Sequence, residues 1–158
     1  VSTEQEILEQ LRQRTSTAAA TTGTEPDFTK RESVWTIDVT EPGSGKRFVG
    51  TFTSQVPSLR GQDEIALLAA QLAGGVAYQA IAPAARYRMQ MFAAFTVMLL
   101  KRPDWFSQPA EFLEEDVPLA VYDRMTEHIQ TFFRRRAPQA GGAAADAGVD
   151  QHPPAVAG

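Results

Sequence analysis

Cysteine is absent from all 158 residues. That excludes disulfides, thiolate nucleophiles and cysteine-ligated zinc, and it fits a reducing cytosol or a particle assembled there. Histidine is scarce, with only His128 and His152. A metal centre needs three or four converging ligands. Asp123 and Glu127 share a helical face near His128, but two carboxylates and one imidazole read as a solvated surface, so no metal site is expected. Positive charge is also in deficit: 15 Lys and Arg stand against 19 Asp and Glu, a net charge of −4. Such a chain lacks the broad positive field that nucleic-acid binding needs. Long apolar runs are missing too. The longest, Met91 to Leu100, is ten residues and includes Thr96, whereas a membrane span needs roughly 20. The polar, acidic start has no signal-peptide pattern.

Motifs for catalysis are equally thin. No G-x-S-x-G is present, so no nucleophile elbow is expected. Gly43-Ser44-Gly45-Lys46 invites a phosphate-loop reading, but that motif requires an earlier Gly where Thr40 stands and a Ser or Thr where Arg47 stands. A hairpin turn is the better reading. Glu111, Glu114, Glu115 and Asp116 form a carboxylate run. Glycosidase carboxylates must face each other across a cleft, whereas contiguous ones at a helix start are solvated and meet the helix dipole. No enzyme activity, cofactor or small-molecule substrate is expected.

What is present is patterning. Trp35, Ile37 and Val39 alternate with Thr36 and Asp38. After a Gly-rich loop, Phe48, Gly50 and Phe52 alternate again. Two such runs predict a β-hairpin, with room for a further strand. A lone hairpin is marginally stable, so helices must cover its Trp/Ile/Phe face. The spacing predicts a helix from Gln62 to Leu72 that buries Ile65, Leu68 and Leu72 and stops at Gly74-Gly75. A second runs from Pro83 to Arg102, with Lys101 and Arg102 at its cation-favouring end and Pro103 ending it. A third starts with Asp116 as cap and carries Leu119, Tyr122, Met125, Ile129 and Phe132 towards the core, closing on Arg134-Arg135-Arg136. The expected core is Trp35, Phe48, Phe52, Phe92, Phe95, Met98, Trp105, Tyr122, Ile129 and Phe132.

The ends are different. Thr3 and Glu6 make a capping-box pattern before Ile7, Leu8 and Leu11, a stripe too short to persist alone. From Ala137 the chain is Ala, Gly, Pro and Asp with almost no large side chains, which cannot form a core by itself. The expected organisation is an arm at 1–27, an α+β core domain at 28–136 and an extended Ala/Gly/Pro-rich tail at 137–158. Ile7, Leu8, Leu11, Arg134, Arg135 and Arg136 are the candidate partner contacts, with the tail.

Three stretches carry a family resemblance. The first is Gly45-Lys46-Arg47-Phe48-Val49-Gly50-Thr51-Phe52-Thr53 followed by a short helix ending Leu72-Ala73-Gly74-Gly75. The second is a long apolar helix ending Lys101-Arg102-Pro103-Asp104-Trp105-Phe106. The third holds Val121-Tyr122 and His128 and closes on Phe132-Phe133-Arg134. Over residues 34–136 this order resembles small proteins encoded among the head and tail genes of tailed bacteriophages. The resemblance implies an assembly role and transfers no site residues. A virion component, assembled in the host cytoplasm and bound to other virion proteins or to itself by symmetry, is the first expectation. A tail-assembly chaperone absent from the finished particle is the alternative. A nucleic-acid-binding or enzymatic accessory is the third.

Overall fold

The computed structural model describes residues 25–137. It shows an α+β architecture: a three-stranded antiparallel sheet with helices on one face. Strand β1 (Glu32–Thr40) and strand β2 (Arg47–Gln55) form the hairpin. Helix α1 spans Leu59–Leu72, helix α2 Pro83–Met98 and helix α3 Asp116–Arg134. A short strand β3 (Leu99–Lys101) pairs with β2, so the sheet order is β1-β2-β3.

The hairpin follows from its side chains. Trp35, Ile37, Val39, Phe48 and Phe52 all face inward and are buried. The turn between the strands closes with Glu41 N–H donating to the Lys46 carbonyl at 2.8 Å and Gly45 N–H to the Glu41 carbonyl at 2.8 Å. Gly45 has φ of 69°, a conformation that costs glycine nothing. On the open face the Arg47 guanidinium donates two hydrogen bonds to Asp38 and holds its carboxyl below the ordinary value. A lowered carboxyl stabilises the fold above its unfolded-state value and stops doing so as pH falls through the folded one.

The hairpin's hydrogen bonds divide by parity. Glu41 bonds Lys46, and Val56 N–H donates to the Arg31 carbonyl at 2.8 Å. With the register Trp35↔Phe52 and Ile37↔Gly50, odd-numbered residues of β1 direct their N–H and C=O groups at β2. Even-numbered residues direct theirs away from the sheet.

Helix α2 ends earlier than its sequence suggests. It stops at Met98, and Leu99 is extended at φ −83° and ψ 107°. Leu99 pairs with Ser54 and Lys101 with Thr53, across a register irregularity. The C-terminal end of the free edge of β2 is thereby covered at Thr53 and Ser54, a gain in backbone bonding that outweighs the helix propensity of Leu99 and Leu100. The Gln55 side-chain amide donates to the Val97 carbonyl at 3.2 Å, satisfying one acceptor at the helix end. Lys101 and Arg102 therefore do not sit at a helix terminus.

Further along that edge lies the Asp104–Phe106 corner, a single 3-10 turn. Trp105 Nε1–H donates to the Val49 carbonyl at 3.1 Å. Phe106 is fully buried, edge-on to Phe52 at 5.3 Å and to Phe95 at 5.2 Å. Gly50 is required beneath this corner, because a Cβ there would lie 2.7 Å from Pro103 Cγ and 2.7 Å from Trp105 Cζ2.

Helix α3 begins at Asp116, which is its first helical residue rather than its cap. Glu115 holds the cap position without a side-chain cap bond. The acidic run is spent elsewhere: Glu115 pairs with Arg88 of α2, and Glu114 accepts from the Gly43 N–H at 3.2 Å. Of the expected core, Phe92, Trp105, Tyr122 and Ile129 are half-buried against it, and Leu72 at the end of α1 is exposed. Among the described residues no helix is long and apolar enough to cross a membrane.

Two measurements check this geometry. Gly50→Ala should destabilise the fold by about 1–3 kcal/mol in denaturant titration, the usual cost of overpacking. Amide exchange along β1 should alternate, with Trp35, Ile37 and Val39 slower than Val34, Thr36 and Asp38 by about a hundredfold or more, as expected between ladder and edge amides.

Candidate functional site

The most organised polar cluster joins three elements in the interior. Trp35 Nε1–H donates to Ser54 Oγ at 2.8 Å, and Ser54 Oγ lies 2.9 Å from His128 Nδ1. His128 Nε2 lies 2.7 Å from the Lys30 carbonyl. Lys30 O can only accept, so Nε2 carries the imidazole proton. In the neutral imidazole Nδ1 then accepts, and the Ser54 hydroxyl donates to it. The chain of donors runs Trp35 to Ser54 to His128 to Lys30, and every buried group in it is satisfied. Phe28 stacks on the imidazole with ring centroids 5.0 Å apart.

A serine hydroxyl bonded to an imidazole that is oriented by a third group is the arrangement of an activated nucleophile. Here Ser54 and His128 are both 0% exposed. The Trp35 indole also occupies a lone pair of the serine oxygen. A substrate cannot reach this oxygen without opening the core, so the cluster acts as a fastener between hairpin and α3. The solvated-face reading of His128 is overturned: the imidazole sits on the buried stripe Val117, Val121, Met125, His128 and Phe132. Its burial was signalled by the i, i+3, i+4 spacing of that stripe. Among the described residues no group of three metal-ligating side chains converges.

The surface offers three further features. An open cleft of about 460 Å³ lies over Phe48, Trp105 and Phe112 and is rimmed by Glu41, Lys46 and Glu111. Lys46 Nζ stands 4.9 Å from the Phe48 ring centroid, and Leu113 beside it is 99% exposed. Helix α1 exposes apolar residues among Arg60, Gln62, Asp63, Glu64 and Gln71. Ile65 and Ala69 face the core, while Leu59 (79% exposed), Ala66, Leu67 (60% exposed) and Ala70 face solvent. Leu72 and Val76 extend the exposed apolar surface past the helix end. Lastly, β1 leaves one long edge unpaired among the described residues.

The expected partner contacts are placed only in part. Arg134, Arg135 and Arg136 are exposed at the end of α3, with the Arg136 guanidinium 4.1 Å over the Phe132 ring. Ile7, Leu8 and Leu11 lie outside the described residues, as does the tail beyond Ala137. The α1 leucines were missed because one helical face already explained the helix. The spacing of Leu59, Ala66, Leu67 and Ala70 was the available signal.

No protein-family model, curated protein or solved structure matches this chain.

Ser54→Ala should leave the Trp35 N–H and the His128 Nδ1 without a partner. The expected loss is about 1–3 kcal/mol of unfolding free energy per orphaned group, measured by thermal or urea denaturation. Nitrogen chemical shifts of His128 in the wild-type protein should report the Nε2–H tautomer.

Proposed function

We propose that this protein is a non-enzymatic structural component of a tailed-bacteriophage particle, binding neighbouring virion proteins of the head shell or head–tail region. The observation that carries the binding role is the outward face of α1. A surface helix normally turns charged and polar residues to solvent. This one presents Leu59, Ala66, Leu67 and Ala70 around the exposed Asp63, with Leu72 and Val76 beyond. Exposed apolar surface rimmed by polar residues marks sites of protein contact. The order of hairpin, short helix, long apolar helix and aromatic corner supports the phage setting, through the resemblance of residues 34–136 to small phage head- and tail-gene proteins.

Quantitative mass spectrometry of purified particles tests the role. A fixed ratio of this chain to a major shell or tail protein is expected. Presence in infected-cell lysate with absence from particles would instead favour a transient tail-assembly chaperone. Leu67→Glu should lower incorporation at least about tenfold while shifting stability by no more than about 0.5 kcal/mol, the usual range for surface substitutions.

A further inference from the structure

Nothing among the described residues covers the outer edge of β1. Glu32, Val34, Thr36, Asp38 and Thr40 turn their N–H and C=O groups to it. The strand is nine residues long, about 30 Å at ~3.4 Å per residue. Native sheets blunt such an edge with charged side chains, proline, a bulge, a short strand or a covering loop. This strand contains no proline or lysine, its register against β2 is unbroken, and its protecting charges are the carboxylates of Glu32 and Asp38.

Beside its first half lies a cleft of about 490 Å³, floored by Glu32 to Thr36 and walled by Glu25, Pro26, Asp27 and Lys30. Ser33 is among the cleft's lining residues, with its hydroxyl oxygen buried. Ser33 is 5% exposed, and its oxygen has no hydrogen-bond partner among the described residues. Charge there is acidic. Asp27 pairs with Lys30 at 3.3 Å, and Asp38 pairs with Arg47. Glu25 and Glu32 have no ion-pair partner among the described residues.

A second copy of β1 fits this edge poorly. Antiparallel self-pairing about a two-fold axis at Trp35 sets Glu32 directly opposite Asp38 of the other copy. Axes at Val34 or Thr36 make the same two carboxylates diagonal neighbours. An axis at Ser33 makes the two copies of Glu32 diagonal, and one at Ile37 does so for the two copies of Asp38. Like charges placed opposite each other destabilise a strand pair, and diagonal neighbours are within reach of long side chains; Arg47 offsets part of this at Asp38, but β1 of a second copy brings no lysine or arginine to meet Glu32.

We propose that this edge and its cleft take an extended segment of a partner protein that carries lysine or arginine at alternate positions, added to the sheet as a fourth strand. Main-chain bonds hold the segment, and alternate side chains select it. Incoming residues opposite Glu32 and Asp38 are hydrogen-bonded pairs and lie on the open face with those carboxylates, of which Asp38 is already bonded by Arg47, so Glu32 and the neighbouring Glu25 supply the attraction. The basic residues are thus the ones whose own N–H groups point at β1. This deepens the assembly reading, and rests on it for the partner being a virion protein. The edge chemistry can be tested without a particle.

The test uses the full chain and a nine-residue peptide alternating lysine with threonine or valine. The peptide should bind and slow amide exchange at Val34, Thr36 and Asp38. N-methylation of its lysines should weaken binding roughly tenfold or more, since several main-chain hydrogen bonds are lost. N-methylation of the intervening residues should leave binding near that of the parent, and replacing lysine by glutamate should abolish it. Equal binding of the two methylated peptides would reduce the effect to charge attraction and overturn strand addition. Slow exchange at those three amides in the peptide-free monomer would show the edge already covered by its own chain. Protection that appears with dimerisation would give the edge to a second copy. Either result overturns the proposal. Selective peptide binding by a chain absent from particles would keep strand addition and remove the virion role.

Discussion

A two-stranded hairpin with one apolar face cannot stand in water, and the rest of the described structure answers that constraint. Trp35 stacks on Phe52 at 4.8 Å with planes 10° apart, making a flat aromatic surface across the strands. Phe106, from the corner after β3, closes on Phe52 edge-on, and Phe95 of α2 stands edge-on to Phe106 in turn. Helix α3 lays Val117, Val121, Met125 and Phe132 into the same core. Each covering element also supplies a polar connection, so burial and hydrogen bonding are met by the same pieces. Trp105 covers Phe48 and bonds the Val49 carbonyl. His128 stacks on Phe28 and bonds Ser54 and Lys30.

The buried relay decides how α3 sits on the sheet. Apolar packing tolerates small rotations, because many contacts of similar energy compete. A directional chain from Trp35 to the Lys30 carbonyl does not. Rotating α3 enough to move His128 off Ser54 would orphan the Ser54 hydroxyl, an imidazole nitrogen and the Lys30 carbonyl at once, each costly in a low-dielectric interior. We therefore read Ser54 and His128 as setting register and angle rather than as chemistry. Their full burial distinguishes this from a catalytic pair, which must meet a substrate.

The legible parts of the sequence were those with a clean period. Alternation in Val34–Val39 and Phe48–Thr53 marked both strands and their inner faces, and the α+β class followed. Capping, termination and burial were harder, because they depend on contacts distant in sequence. Leu99–Lys101 looks helical locally and becomes a strand only because β2 has an edge to fill. Asp116 looks like a cap until Glu114 and Glu115 are drawn away to Gly43 and Arg88. His128 was misread because a histidine flanked by Glu127 suggests solvent, while its partners Ser54 and Lys30 lie 74 and 98 positions away. Phe28 and Phe106 sit outside regular periodic runs, so no pattern announced them. The exposed edge could be derived only in part: alternation marks a strand, but strand order decides which strand is left at the edge.

One parity governs both the core and the open edge of β1. Its odd residues send side chains to the core and backbone groups to β2. Its even residues send side chains to the open face and backbone groups outward. Those two surfaces are therefore chemically independent although they share nine residues. Changes at Glu32, Val34 or Thr36 alter what the edge presents without touching the aromatic stack or the Ser54–His128 relay. A one-residue slip would expose Trp35 and Ile37 and bury Asp38. The deep core that fixes the register is thus also what keeps the edge in place, with the same five residues always facing out. A recognition surface made of backbone needs that fixed frame, because its specificity lies in register rather than in the shape of any one side chain.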